Sequence, residues 1–205
     1  GALVEPLAVA LHAARVADVS PGDSVAVFGS GPIGLCQIQA LRVAGAGPII
    51  VSEPRDRRRE RAEACGADVL IDPTEEDALE AIRAETGEGV DIAFDVAGVE
   101  ATYNQAINST RPGGRVAEVS IFEEGVETQP NDLVIPEREL VGSIAYQGGP
   151  RSAEEFGMVI DMLEDGRFDP DPLITDRIEL DDITDGGFER LIDPDSDQVK
   201  ILVKP

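Results

Sequence analysis

The residues Val25-Ala26-Val27-Phe28-Gly29-Ser30-Gly31-Pro32-Ile33-Gly34-Leu35 set a G-x-G-x-x-G pattern between a short β-branched run and an apolar helical pattern. Glycines at this spacing suit pyrophosphate chemistry. Gly29 allows a tight turn off the strand, Gly31 lets the backbone close on a diphosphate, and Gly34 lets the helix lie against the sheet. Pro32 fits the first helical turn, where its missing N–H costs nothing, and Ile33 follows it inward. The helix N-terminus then turns free N–H groups and a positive dipole end toward the phosphates. Glu53 stands 19 positions past Gly34, at the end of the next predicted strand. A carboxylate there accepts hydrogen bonds from adenosine ribose hydroxyls and repels a 2′-phosphate, which favours NAD. Arg55, Arg57, Arg58, Arg59 and Arg61 follow at once. They either clamp a 2′-phosphate and admit NADP, or form a solvated helix face pairing with Glu60 and Glu63.

These residues need a scaffold, and the pattern around them supplies one. Strands are predicted at Ser24–Phe28, Ile49–Ser52, Val69–Ile71, Asp91–Asp95, Arg115–Ser120 and Leu140–Ala145. Helices fall between them at Ile33–Val43, Arg55–Cys65, Glu75–Glu85 and Glu100–Thr110. Right-handed crossovers turn this alternation into an α/β fold, a doubly wound Rossmann sheet of six parallel strands with helices on both faces, in the order 3-2-1-4-5-6. An amphipathic helix near Ala153–Glu164, a Pro/Asp-rich loop, a helix near Asp182–Ile192 and a final strand Val199–Val203 complete the chain. Ligands of open α/β sheets sit at the carboxyl ends of the strands. That nominates Val96, Ala97 and Gly98 after the fourth strand, Val119, Ser120 and Ile121 after the fifth, and the stretch from Ser143 to Ala145 after the sixth.

Composition narrows the classes further. The 205 residues carry 41 Asp+Glu against 17 Lys+Arg, a formal net charge of -24, and 42% are hydrophobic. Carboxylates occur on every predicted helix and loop, as in Asp193-Pro194-Asp195-Ser196-Asp197. Such a surface repels itself in dilute buffer and is screened in concentrated salt, which implies a high-salt cytoplasm. Regular apolar periodicity excludes an acidic disordered chain, and the charge argues against nucleic acid as a partner. Cys36 and Cys65 belong to no C-x-x-C pair and read as small buried hydrophobes. His12, the only histidine, reads as a packed, hydrogen-bonded core residue. No apolar run reaches membrane-spanning length and no signal peptide is evident, so the expectation is a cytoplasmic protein without membrane contact.

The segments EPLAVALHA, GDSVAVFGSGPIGL, VSEP, ACGAD, GVDIAFDVAG, RPGGRV and VKILV together resemble the zinc-containing medium-chain alcohol/polyol dehydrogenases. The stretch from RELVGSIAY to PLITDRIELDDITDGGFERL is most similar to their 2,3-butanediol, threonine and sorbitol dehydrogenase branch. The resemblance spans residues 1–205 but only the family's cofactor-binding part. It implies a single NAD-binding Rossmann domain. Residues 1–20 would enter from a GroES-like catalytic domain outside this sequence, and 150–205 would form C-terminal helices and a returning strand. It further implies a small alcohol substrate, zinc in the parent enzyme, and no catalytic residue within this piece, which alone would be inactive. Glu5, in the EP motif, maps to the catalytic zinc site, although one carboxylate does not hold a metal and a helix N-terminal glutamate reads equally well. Arg58 matches a position that stacks on adenine, and Lys200 one that reaches the pyrophosphate. Strand ends around Val96–Gly98, Val119–Ile121 and Ser143–Ala145 would receive nicotinamide and its ribose. The sixth strand, as an apolar sheet edge, implies a homodimer or tetramer. The other functional class left open is a stand-alone dinucleotide-binding or redox-sensing module.

Overall fold

The computed structural model describes residues 1–146, 150–193 and 196–204, with the backbone only at 150–152; Pro194 and Asp195 of the acidic run lie outside the described residues. Six parallel strands form one sheet: β1 (Val25–Phe28), β2 (Ile49–Ser52), β3 (Val69–Ile71), β4 (Val90–Asp95), β5 (Thr110–Glu118) and β6 (Glu139–Gly142). Their order is β3-β2-β1-β4-β5-β6, as expected from the sequence. Every residue of β1 and β2 is buried, the mark of parallel strands covered on both faces. Helices α1 (Val4–Val16), α2 (Pro32–Ala44) and α3 (Asp56–Ala64) pack with α7 (Pro150–Glu164) on one face, over Val25, Val27, Ile49, Val51 and Phe94. Helices α4 (Ala78–Thr86) and α5 (Glu100–Ser109) cover the other, over Ala26, Phe28, Ile50, Ala93 and Val116. A short α6 (Asn131–Val134) leads into β6.

The registers align the strand ends. Ile71 pairs with Ser52, Ser52 with Phe28, Phe28 with Asp95, Asp95 with Glu118, and Glu118 with Gly142. Each is the last residue of its strand, so all six strands stop in a single row at their carboxyl ends. Loops leaving that row converge on one edge of the molecule, where open α/β sheets bind ligands.

Local chemistry accounts for the element boundaries. Gly31 caps α2 and Pro32 occupies its first turn. Helix α4 starts at Ala78, later than the predicted Glu75, because the Asp77 carboxylate accepts from the Glu80 N–H at 2.9 Å and fixes the N-cap there. The predicted strand Leu140–Ala145 ends early at Gly142. Pairing stops opposite Glu118, and Ala145 takes a φ of 49°, which a strand cannot hold. The predicted final strand is displaced by a residue or two, to β8 (Ile201–Lys204), and lies outside the large sheet. It pairs in parallel with β7 (Asp176–Glu179), inside the stretch expected to be a Pro/Asp-rich loop. The predicted helix over 182–192 resolves into a π-helical Ile183–Phe188 followed by α8 (Glu189–Ile192). Gly186 and Gly187 sit inside that segment, where glycine weakens the α-helical ladder.

His12 is a packed residue as expected. Its Nδ1 lies 2.9 Å from the buried Glu155 Oε1, which also accepts from Arg15 Nη1 at 3.0 Å, tying α1 to α7. Cys36 and Cys65 are buried and free, and burial pushes their thiols up to about 12 and about 11. Among the described residues, no helix is long and apolar enough to cross a membrane.

Candidate functional site

The three glycines of the motif meet three different constraints. Gly29 has a φ of 97°, a region that L side chains rarely adopt, and its N–H donates to Ser52 O at 2.9 Å. A Cβ on Gly34 would lie 2.2 Å from Gly29 O and 3.1 Å from Val96 Cγ2, so α2 touches the strand-to-helix turn there through bare backbone. A Cβ on Gly31 would meet only Arg58 Nη1, at 3.8 Å. The backbone at Gly31 thus faces open space beneath an arginine, a place an anionic group could enter.

That space belongs to a cleft of about 340 Å³ lined by Gly29, Gly31, Glu53, Arg58, Val96 and Ala97, together with Ser52, Pro54, Arg55, Pro73, Val99, Thr102 and Gln105. A second cleft of about 490 Å³ adjoins it through Ala97 and Val99, and is bounded by Gly98, Glu100 and the loop Ile121–Val126. Both open at the row of strand ends. The predicted residues therefore divide. Gly29, Gly31, Glu53, Arg58, Val96, Ala97, Gly98 and Ile121 come together in one continuous groove. Pro32, Ile33 and Gly34 build the helix start behind it, and Val119 and Ser120 begin the loop that bounds it. Ser143, Ala145, Lys200 and Glu5 line neither cleft. Glu5 is exposed in the first turn of α1, and Lys200 precedes β8.

Glu53 is held firmly. It is buried, its Oε2 accepts from the Ser30 N–H at 2.9 Å and from Ser30 Oγ at 3.2 Å, and its Oε1 accepts from the Arg55 N–H at 3.1 Å. The acidic residue thus grips the glycine turn itself, and its two oxygens retain lone pairs for further donors. The arginine cluster separates by partner. Arg59 bridges Asp56 and Asp72 and donates to Glu53 O at 2.6 Å; Arg57 pairs with Asp197 at 2.8 Å; Arg61 donates to Pro172 O at 3.2 Å. Arg55 and Arg58 are the two that line the cleft. Burial lowers the Arg58 pKa from its ordinary value, Glu53 opposes this and Arg55 adds to it; the guanidinium stays cationic at neutral pH.

Two carboxyls that sequence reasoning did not nominate stand behind the loops that border the groove. Asp95 Oδ1 accepts from Ala97 N–H at 3.0 Å and Gly98 N–H at 3.3 Å, and Glu118 Oε1 accepts from Ser120 N–H at 2.9 Å. Their signal was a carboxylate as the last residue of a strand in the row of carboxyl ends. Among the described residues, no group of three or more His, Cys, Asp or Glu side chains is arranged to hold a metal ion.

Residues 32–165 match the family model described as "Zinc-binding dehydrogenase". The chain is 47% identical over 206 residues to the (R,R)-butanediol dehydrogenase of Bacillus subtilis, covering 100% of this chain and 57% of that protein. The crystal structure of 2R,3R-butanediol dehydrogenase from Bacillus subtilis superposes with a TM-score of 0.92, again over 100% of this chain and 57% of that one. A zinc-binding dehydrogenase from Sinorhizobium meliloti 1021 bound to NADP gives 0.88 at 32% identity, covering 100% of this chain and 58% of the other. A short chain alcohol dehydrogenase from E. coli CFT073 complexed with NADH gives 0.88 at 25% identity, covering 99% and 58%. The chain spans a little over half the length of these relatives.

Proposed function

This chain belongs to the zinc-binding dehydrogenase family, and from that premise we propose that it is the NAD-binding half of an alcohol or polyol dehydrogenase. The enzyme would move hydride between a small secondary alcohol, a vicinal diol or polyol, and NAD. The observation that carries this reading is the open backbone at Gly31, set under Arg58 and beside the buried Glu53. A diphosphate fits there against the start of α2. The adenosine would lie in the cleft between Glu53, Arg58, Pro73 and Gln105, with its ribose hydroxyls donating to Glu53. The nicotinamide end would follow the groove past Ala97 and Gly98 toward Ile121.

The partner division of the arginines supports NAD over NADP. Three of the five are tied to Asp197, Asp72 and Pro172 O outside the cleft, leaving the exposed Arg55 and the half-buried Arg58 to line it with Glu53. A bound zinc would polarise the alcohol oxygen. Glu5 alone does not make a metal site, so its role would depend on ligands from residues outside this sequence. Lys200 remains a candidate pyrophosphate contact, supported by its charge acting on Cys36 in the second turn of α2. Pairing of two copies along β6 is supported by the exposed Leu140 and Ile144 at that edge and by Val134 and Ile135 beside it. The charge of -24 supports a working environment of high salt.

Calorimetric titration with NADH and NADPH in concentrated KCl tests the reading. NADH binding at least tenfold tighter than NADPH is the expected result. The reverse preference would assign the mouth of the cleft to Arg55, and no binding of either by the folded chain would overturn the cofactor site.

A further inference from the structure

Asp95 and Glu118 are neighbours in register on adjacent parallel strands, so their side chains leave the same face of the sheet, on the side of α5. Asp95 is fully buried. The groups around the pair are few. Thr102 of α5, whose Oγ1 donates to Val99 O at 3.0 Å, lies by Asp95, and Tyr103 of α5 faces Glu118; Phe28 precedes Asp95 in the row and Gly142 follows Glu118. Among the described residues, neither carboxyl forms an ion pair with Lys, Arg or His. Asp95 Oδ1 and Glu118 Oε1 are occupied by backbone N–H groups, yet Asp95 Oδ2 and Glu118 Oε2 are buried and receive no N–H or hydroxyl donor. The register sets these two unpartnered side chains side by side across the β4–β5 seam. Carboxylates only accept, so a bond between them requires that one of the two carry a proton.

We propose that Asp95 and Glu118 share a single proton, and that this bond positions the two loops, Val96–Val99 and Val119–Ile121, that floor the cofactor groove. The geometry links them directly. One end of the pair holds the amides of Ala97 and Gly98, the other holds the amide of Ser120, and Ser120 Oγ donates back to Asp95 O at 3.3 Å. Loss of the proton sets two buried anions side by side without a counter-charge, and the seam between β4 and β5 must open at its carboxyl end. Burial and the neighbouring Asp95 charge push Glu118 up to about 8, and burial raises Asp95 as well. A pair that shares one proton titrates as a unit. These are positioning residues; neither touches the reacting atoms. The link to cofactor rests on the function proposed above, while the shared proton and the loop coupling do not.

The test compares wild type with E118Q, which keeps a hydrogen bond to Asp95 but cannot ionise, and with D95N. Infrared spectra at pH 7 should show a protonated-carboxyl stretch that is lost by pH 9 and missing from both variants. Amide-exchange protection factors of Ala97, Gly98 and Ser120 should fall between pH 7 and pH 9 in wild type and hold in E118Q. With one proton lost at about 8 and an ionised pair that does not bind, NADH affinity should drop about tenfold across that interval in wild type and stay flat in E118Q. Absence of the infrared band at pH 7, or unchanged protection between pH 7 and 9, overturns the proposal. Intact exchange and infrared behaviour with no NADH binding at any pH would instead refute the cofactor reading and leave the shared proton standing.

Discussion

Gly31 and Gly34 belong to one motif, yet alanine should do opposite things at the two positions. At Gly34 the new Cβ would sit 2.2 Å from Gly29 O and 3.0 Å from Gly29 C, backbone atoms that no rotamer change can move. Relief needs α2 to retreat from the turn by about 1 Å, which unseats Leu35, Ile38 and Leu41 from the core they fill completely. Overpacking of this kind costs about 3 kcal/mol, the upper end of its usual range because backbone is the obstacle, offset by at most about 1 kcal/mol of helix propensity. For a chain of this size, the net loss of about 2 kcal/mol or more lowers Tm by roughly 4–8 °C. At Gly31 the backbone has φ -69° and ψ -170°, open to any residue, and the methyl meets only Arg58 Nη1 at an ordinary 3.8 Å. Stability there should change by less than about 1 kcal/mol, the scale of a lost cap preference. The methyl would occupy the side from which a diphosphate approaches. Losing two charge-assisted backbone hydrogen bonds, at about 1.5 kcal/mol each, weakens NADH binding about a hundredfold. Thermal melts and calorimetric titration of G31A, G34A and the control G157A, which lies outside both clefts and where a Cβ meets nothing within 4 Å, separate the two effects. A G34A protein melting with wild type, or a G31A protein binding NADH normally, would refute the steric reasoning.

Three further outcomes follow from the same contacts. Replacing Glu53 by Ala removes the acceptor for Ser30 and the group that repels a 2′-phosphate, so NADH affinity should fall at least tenfold while NADPH affinity falls less or rises; equal losses for both would count against Glu53 as the discriminator. Asp91 accepts from Ser24 N–H at 2.9 Å, Ser24 Oγ at 2.7 Å and Arg111 Nε at 2.7 Å; burial pulls its carboxyl up, but these bonds and the Arg111 charge together hold it below the ordinary value. A depressed folded pKa contributes stability above the unfolded value of about 3.9, which is lost as pH falls through the folded one, so the Tm advantage of wild type over D91N should shrink on acidification below about pH 4 and be constant from pH 5 to 7. With a net charge of -24, Tm should rise steeply from 0.1 to 1 M KCl, as the screening length drops from about 10 Å to about 3 Å; a salt-independent Tm would remove the case for adaptation to brine.

Much of this molecule is written locally. The turn at Gly29–Gly34 and the six strands are set by glycine placement and by short β-branched runs, and residues past the ends of β1 to β5 line the groove, while those past β6 do not. Parts that depend on partners distant in the chain were not legible. Strand β7 carries Asp176, Arg177 and Glu179 and reads as loop, because its reason for being extended is the pairing with Ile201–Lys204. The five arginines look equivalent in sequence, and only Asp72, Pro172 and Asp197 reveal which two face the cleft. Asp95 and Glu118 are separated by more than a helix, and nothing but the register makes them a pair. The early end of β6 at Gly142 is likewise a fact about where β5 stops.

The three hydrogen bonds on Glu53 have a thermodynamic consequence. A buried glutamate fixed by Ser30 and by the Arg55 amide has already surrendered its rotamer freedom when the chain folds. Immobilising a side chain on ligand binding otherwise costs about 0.5–1.5 kcal/mol. Here that entropy loss is incurred during folding, and the adenosine end of the cleft is a preorganised receptor. Cofactor association at this end should then proceed with backbone shifts below about 1 Å, and variation in affinity among cofactor analogues should reside in their rates of departure more than in their rates of arrival.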